Sequence, residues 1–179
     1  MIYYSIPYDV NKNIGKYYND FMSILPNDDD FACFVDGDTI FTTPNYGHVI
    51  DRVIKEYPEI GCFTAKTNRV SCKWQVFDGV DVETNDIAYH RELGGNLQDV
   101  YDAYCEDVTD SQLMSGLLIL INKKTWFKIG GFLENGMLGV DNELHRKLIE
   151  HDEKLYVMKG IYLYHWYRWP DKTNTTHLK

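Results

Sequence analysis

The chain has 179 residues, 44% of them apolar and 15% aromatic, with a formal net charge of −9. This size and apolar share fit one globular domain with a real core, and exclude a disordered or repetitive chain. The acidic balance argues against a groove for polyanions, because affinity for a phosphate backbone comes from Lys and Arg, so a nucleic-acid partner is not expected.

The opening residues Met1-Ile2-Tyr3-Tyr4-Ser5 lack the charged start and long apolar core of a signal peptide. No apolar run approaches membrane-spanning length, so no transmembrane segment is expected. Cys33, Cys62, Cys72 and Cys105 show no close pairing and read as reduced core thiols of a cytoplasmic protein. They support neither a disulfide framework nor a zinc site. The 14 tyrosines supply rings that can stack on sugars or bases.

Tyr3 to Tyr8 reads as a strand stopped by Pro7. Ile14, Tyr17, Tyr18, Phe21, Met22 and Leu25 then recur at helical spacing, with Asn13 as N-cap and Pro26 as the stop. After the turn Asn27-Asp28-Asp29-Asp30, the apolar run Phe31 to Val35 reads as a buried strand ending in Asp36-Gly37-Asp38. Strand, helix, strand is the start of an α/β sheet, with both strands ending on one edge and the Pro7-Tyr8 loop near Asp36 and Asp38.

A second helix is expected from about Tyr46 to Tyr57, with Val49, Val53 and Ile54 facing inward, and a strand from Ile60 to Ala65. Lys66 to Asp86 reads as an irregular or hairpin segment over a site. Asn85 to Tyr104 reads as two helical patches split by Gly94-Gly95, and Glu106 to Ser115 as an acidic loop. Gly116 to Ile121 is the most apolar strand; a short helix from Lys123 to Lys128 follows, ended by Gly130-Gly131. Residues 139 to 151 form a helix with acidic residues at its start and Leu144 and Leu148 inward. Lys154 to Lys159 and Ile161 to His165 read as two strands, and residues 169–179 as a loose polar tail beyond a single domain of residues 1–168.

Three features bear on chemistry, and each has a plainer reading. Asp36-Gly37-Asp38 is either a strand-ending turn or a carboxylate pair that meets a cation, since burying two carboxylates without one is costly. Asp141 is either a helix cap favoured by the macrodipole or a functional acid. His165 at a strand end is either structural or a metal ligand.

Taken in order, these motifs resemble the GT-A fold glycosyltransferases, specifically the glycosyltransferase family 2-like group, and the β-1,4-galactosyltransferase catalytic core. The family's Asp-x-Asp at the end of an apolar strand is matched by Asp36-Gly37-Asp38, and its Gly-Gly-Phe segment by Gly130-Gly131-Phe132. Its acidic helix start is matched by Val140-Asp141-Asn142-Glu143-Leu144, with Val140 where the family has Glu, and its late histidine by His165. Asn13 to Asn19 resembles the Asn-x-Gly-…-Asn segment that precedes the Asp-x-Asp strand. The resemblance runs over residues 1 to 168.

It implies a GT-A, Rossmann-like mixed sheet flanked by helices. It also implies transfer of a sugar from a nucleotide-diphosphate donor, UDP-linked by preference, to an acceptor hydroxyl. Asp38 and His165 would hold Mn²⁺ or Mg²⁺, with Asp36 on the ribose or reaching the metal through water. Asp141 would be the general base of an inverting displacement, with Glu143 as the fallback. Pro7, Tyr8, Lys16, Asn19, Asp36 and Gly37 would face the donor, with Tyr8 stacking on its base. Gly130, Gly131, Phe132 and Trp166 would face the acceptor; Trp126 is either part of that platform or core.

Family members usually carry two βα units ahead of this helix, and here the Asp-x-Asp begins at residue 36. The expectation is therefore an N-terminally reduced domain, as in small stand-alone bacterial and phage members. Two other readings stay open. A haloacid-dehalogenase-type phosphatase also opens on a strand and two aspartates, but Ile40 stands where that motif has Thr or Val. A nucleotide-sugar and metal-binding module without turnover would need no base at Asp141. The acceptor is open among polysaccharide, lipid-linked sugar, protein and modified nucleobase, and an oligomer is compatible with the sequence.

Overall fold

A computed structural model of the chain describes residues 1–167, so the expected tail at 169–179 lies outside the described residues. The protein is α/β, a mixed seven-stranded sheet flanked by helices, consistent with a Rossmann-like arrangement. Its strands are β1 (Ile2–Ser5), β2 (Phe31–Val35), β3 (Thr39–Phe41), β4 (Cys62–Thr67), β5 (Cys105–Asp107), β6 (Leu118–Asn122) and β7 (Leu155–His165). The helices are α1 (Ile14–Ser23), α2 (Tyr46–Glu56), α3 (Ile87–Tyr101), α4 (Lys123–Lys128) and α5 (Val140–Glu150). In space the strands run β1-β2-β6-β4-β7-β3, with β5 also paired to β7.

Period-two alternation divides the core between the two faces of the sheet. Ala32, Phe34, Ile119 and Ile121 point to the side covered by Tyr18 and Met22 of α1 and Leu144 and Leu148 of α5. Phe31, Cys33, Val35, Leu118 and Leu120 point to the side covered by Val49, Ile50 and Val53 of α2. Each central strand is buried on both faces, which is why it reads as a continuous apolar run.

Pairing directions decide where a site can form. β1 runs parallel to β2 and β4 parallel to β7, while β6 lies antiparallel between β2 and β4. The carboxyl ends of β1, β2, β4 and β7 therefore share an edge with the start of β6. The expectation for the first two strands holds: Ser5 sits opposite Phe34. Asn13 caps α1 as expected, accepting from the Lys16 backbone N–H at 3.2 Å.

Several boundaries need correction. Gly94-Gly95 does not split a helix; α3 runs unbroken through both. A Cβ on Gly94 would lie 2.7 Å from the Thr42 carbonyl, so the glycine serves a close helix-to-backbone approach and not a break. The two expected C-terminal strands are one strand, β7, whose ladder with β4 shifts so that Ala65 pairs Met158 but Lys66 pairs Tyr162. Gly160 lies in that irregularity, where a Cβ would come within 2.1 Å of the Asp102 carbonyl oxygen. The expected acidic loop at Glu106 to Ser115 opens instead with residues of β5, a short strand held to β7, where Glu106 forms an ion pair with Lys159 at 2.8 Å. The segment expected to be irregular from Lys66 begins later, since Lys66 and Thr67 complete β4. Residues 68–86 are irregular as expected, with one short 3₁₀ turn at Lys73–Gln75 and a single bridge from Thr67 to Val76.

Gly15 shows how closely α1 is seated, since a Cβ there would lie 1.8 Å from the Leu133 carbonyl oxygen. Backbone cannot rotate away as a side chain can. Gly15→Ala is expected to cost roughly 2 to 3 kcal/mol through overpacking, read as a lower denaturant midpoint at unchanged slope. An unchanged midpoint would show that α1 is free to shift.

Candidate functional site

A cleft of about 640 Å³ opens at the shared strand edge. Its walls come from Pro7 after β1, Asp36, Gly37 and Asp38 after β2, and Val70 and Ser71 after β4. Ser115, Gly116 and Leu117 contribute from before β6, residues 137–142 from the start of α5, His165 from the end of β7, and Ile14 and Tyr18 from α1. The sheet thus gathers residues more than a hundred positions apart, because strands that end on one edge bring their following loops together.

Asp36-Gly37-Asp38 is the tight connection between β2 and β3. The Thr39 backbone N–H and hydroxyl both donate to the Asp36 carbonyl, at 3.1 and 2.7 Å. The turn reading of this motif is thus correct as geometry, and the turn also assembles a cluster. One ligand atom each from Asp36, Asp38 and His165 lies within 4.8 Å of the others. β3 pairs antiparallel with β7, and Thr39 sits opposite His165, so sheet register carries the histidine to the aspartates.

The hydrogen bonds of His165 set its tautomer. Its backbone N–H donates to Asn68 Oδ1 at 2.7 Å, and its Nδ1 lies 2.8 Å from the Arg69 carbonyl oxygen. A carbonyl only accepts, so Nδ1 carries the proton and Nε2 of the neutral ring presents a lone pair. That lone pair faces Asp38 Oδ1 at 3.1 Å. Two acceptors at this distance repel unless the ring takes a second proton or a cation joins them. A histidine whose other nitrogen is bound to a carbonyl is the usual dress of a metal-ligating imidazole.

Charge makes the same case. Asp36 is pushed up to about 6, first by burial and then by the neighbouring charges of Asp38 and Asp141, with His165 pulling the other way. No hydrogen bond reaches its carboxylate among the described residues. For Asp38, burial would raise the pKa, but when a second proton sits on His165 Nε2 the hydrogen bond and charge of that ring outweigh it and hold the group below the usual carboxylate range. Among the described lining residues are three carboxylates and one imidazole, and no lysine or arginine. The donor set of two carboxylates and an imidazole fits Mn²⁺, and Mg²⁺ less closely because of the nitrogen.

A raised carboxyl pKa carries a definite sign. The folded state prefers protonated Asp36, so that preference is fully present below the ordinary value of 3.8 and is lost as pH rises through about 6. Above that window the metal-free protein carries a strained charge, and a cation relieves it. Asp36→Asn is therefore expected to stabilise the metal-free fold at pH 8 by roughly 2 kcal/mol, with the gain shrinking toward pH 4. Urea unfolding at both pH values measures it; a pH-independent difference would contradict the assignment.

Asp141 lies across the cleft in the first turn of α5. Its Oδ2 accepts from the Gly116 N–H at 2.8 Å and its Oδ1 from the Asn142 N–H at 2.9 Å. Burial nevertheless raises its pKa against those hydrogen bonds. The loop before β6 is tied firmly: the Met114 N–H donates to His145 Nδ1 at 3.0 Å, and the Ser115 N–H to Gln75 Oε1 at 2.7 Å. A Cβ on Gly116 would meet Asp141 Cβ at 3.1 Å, so glycine there lets the strand end reach the carboxylate.

The other expected site residues fall elsewhere. Tyr8 lines a smaller pocket of about 270 Å³ that shares Pro7, Ile14 and Met137 with the cleft. Lys16 is exposed and paired with Asp20 at 2.5 Å. Asn19 is committed to structure: its Oδ1 accepts from Trp126 Nε1 and the Phe132 N–H, and its Nδ2 donates to the Phe132 carbonyl and Glu134. Gly130 and Gly131 turn with φ of +73° and +74° and, like Phe132, are not among the described lining residues. Trp126 packs against the core. Glu143 bonds Arg146 at 3.2 Å, and the Trp166 N–H donates to the Asp38 carbonyl at 2.9 Å; neither side chain lines the cleft.

Tyr18, Ser71 and Ser115 are lining residues that sequence reasoning missed. Tyr18 reads as an ordinary core position of an amphipathic helix, and nothing in the local sequence marks either serine.

Comparison of the chain with protein-family models gives no match, and comparison with curated proteins gives none either. Among the described residues no helix is long and apolar enough to cross a membrane.

Proposed function

We propose that the protein is a metal-dependent glycosyltransferase of GT-A type that moves a sugar from a nucleotide-diphosphate donor, UDP-linked by preference, to an acceptor hydroxyl. The observation that carries the reading is the meeting of Asp36, Asp38 and His165 in one cleft with the half-buried carboxylate of Asp141. A cleft whose described lining holds three carboxylates and no lysine or arginine takes a diphosphate only together with a cation.

In this reading Asp38 and His165 hold the ion, and Asp36 holds it directly or through water. The ion supplies charge neutralisation on the departing diphosphate. The Arg69 backbone carbonyl keeps the His165 ring aimed by accepting a hydrogen bond from its Nδ1–H. Asp141 accepts the proton of the attacking hydroxyl as the bond from acceptor oxygen to anomeric carbon forms and the bond to the phosphate oxygen breaks. Single displacement inverts the anomeric centre. Burial keeps Asp141 a stronger base than an exposed aspartate, while the Gly116 and Asn142 N–H groups fix its orientation.

A second reading has an observation of its own. Those two N–H groups would also be satisfied by a carboxylate that only caps α5, which is what a binding module without turnover requires. Incubation with UDP-glucose, UDP-galactose, UDP-N-acetylglucosamine and GDP-mannose, with and without Mn²⁺, separates the two. Mn²⁺-dependent release of nucleoside diphosphate from any donor supports the transferase. A Mn²⁺-dependent thermal shift without release supports the binding module, and neither response from any donor removes both.

A further inference from the structure

Tyr18 is 4% exposed, with its ring wedged between Phe34 and Phe132 at centroid distances of 4.5 and 4.8 Å. The helix, the sheet and the Gly-Gly-Phe turn thus all bear on this one ring. Its hydroxyl behaves differently. Buried phenol hydroxyls normally find a partner. Among the described residues this one has none, yet it is not sealed in, because Tyr18 lines the cleft. Burial first, and then the charges of Asp36 and Asp141, raise its pKa, so the phenol keeps its proton. It is therefore a fixed donor, aimed into the cleft from a rigid apolar seat.

We propose that Tyr18 is a specificity-determining residue whose hydroxyl donates to a hydroxyl oxygen of the transferred sugar. This rests on the transferase reading. With the diphosphate at the Asp36 side and the acceptor at Asp141, the transferred sugar spans the interval between them, in the cleft that Tyr18 lines and where the charges of both aspartates reach its hydroxyl. Carboxylates only accept hydrogen bonds, whereas a sugar hydroxyl both gives and takes. One such group can donate to a flanking aspartate and accept from Tyr18, satisfying both. A deoxy sugar would leave the phenol unpaired in a desolvated corner, and such unpaired groups discriminate strongly.

Tyr18→Phe keeps the ring and removes only the donor. Its test is the affinity ratio of UDP-glucose, UDP-galactose and UDP-N-acetylglucosamine to UDP itself, in Mn²⁺, for wild type and variant. The expected result is unchanged UDP affinity and a 5- to 10-fold loss, roughly, for the sugar that wild type binds best. Stability of the ligand-free variant should match or slightly exceed wild type, since an unpartnered hydroxyl is lost. An unchanged ratio overturns the proposal and leaves the transferase reading standing. Equal loss of UDP and UDP-sugar, or a destabilised fold, overturns it by assigning the hydroxyl to structure. Absence of any nucleotide binding by wild type overturns the transferase reading, and this proposal with it.

Discussion

Asp38→Asn is expected to weaken Mn²⁺ binding on the order of 100-fold and to abolish metal-dependent binding of UDP. Asp38 is the partner that faces His165 Nε2 at 3.1 Å, so the two together offer a carboxylate oxygen and a ring nitrogen to one ion. Asparagine preserves the shape but not the charge, and a hard divalent ion depends on that charge. Because the side chain is 45% exposed, its pairing with His165 adds little to the fold, and stability should stay within about 1 kcal/mol of wild type. Loss of the free Mn²⁺ resonance signal on adding protein reads the affinity directly. Wild-type affinity in the variant would remove Asp38 from the metal site.

Asp141→Asn should separate binding from turnover. The variant is expected to bind Mn²⁺ and UDP within about threefold of wild type and to lose roughly 10²- to 10⁴-fold in transfer rate, the usual worth of a positioned base. Asn has one acceptor oxygen, so it can satisfy the Gly116 or the Asn142 N–H but not both, at a cost of about 1 kcal/mol of stability. The wild-type rate should fall on the acid side at a pH above that of an ordinary aspartate, since burial raises the Asp141 pKa. Parallel loss of binding and turnover in Asp141→Asn would take the base role away and favour the capping role.

The sequence reveals the parts of this protein that depend on local chemistry. Phe31 to Val35 is apolar on both faces and ends in two aspartates, so strand and candidate site are visible together. Asn13 and the helical spacing behind it define α1 without help from the fold. The errors arise where tertiary contact overrides local preference. Gly94-Gly95 reads as a break, but Thr42 packs so closely that only glycine fits mid-helix. Glu106 and Asp107 are poor strand formers, yet the open side of β7 and nearby lysines make a strand of them.

Site legibility follows the same division. Asp36, Asp38, Asp141 and His165 stand out as polar residues at element ends, and all four line the cleft. Tyr18 is hidden because it satisfies the amphipathic pattern; only the sheet edge tells its hydroxyl from the rest of the core. Asn19 misleads for the opposite reason. It looks available on a helix near the site, but the turn at Phe132 and the Trp126 ring consume its hydrogen-bonding capacity.

Calorimetric titration of the protein with UDP at pH 7.5, in Mn²⁺ and in EDTA, measures whether the Asp36, Asp38 and His165 cluster binds a nucleoside diphosphate through a metal ion. Saturable binding is expected in Mn²⁺ and none in EDTA, with the Mn²⁺ response lost as pH falls below about 6, where Asp36 takes up its proton. Equal binding in EDTA, or no binding in Mn²⁺, would contradict binding through the ion.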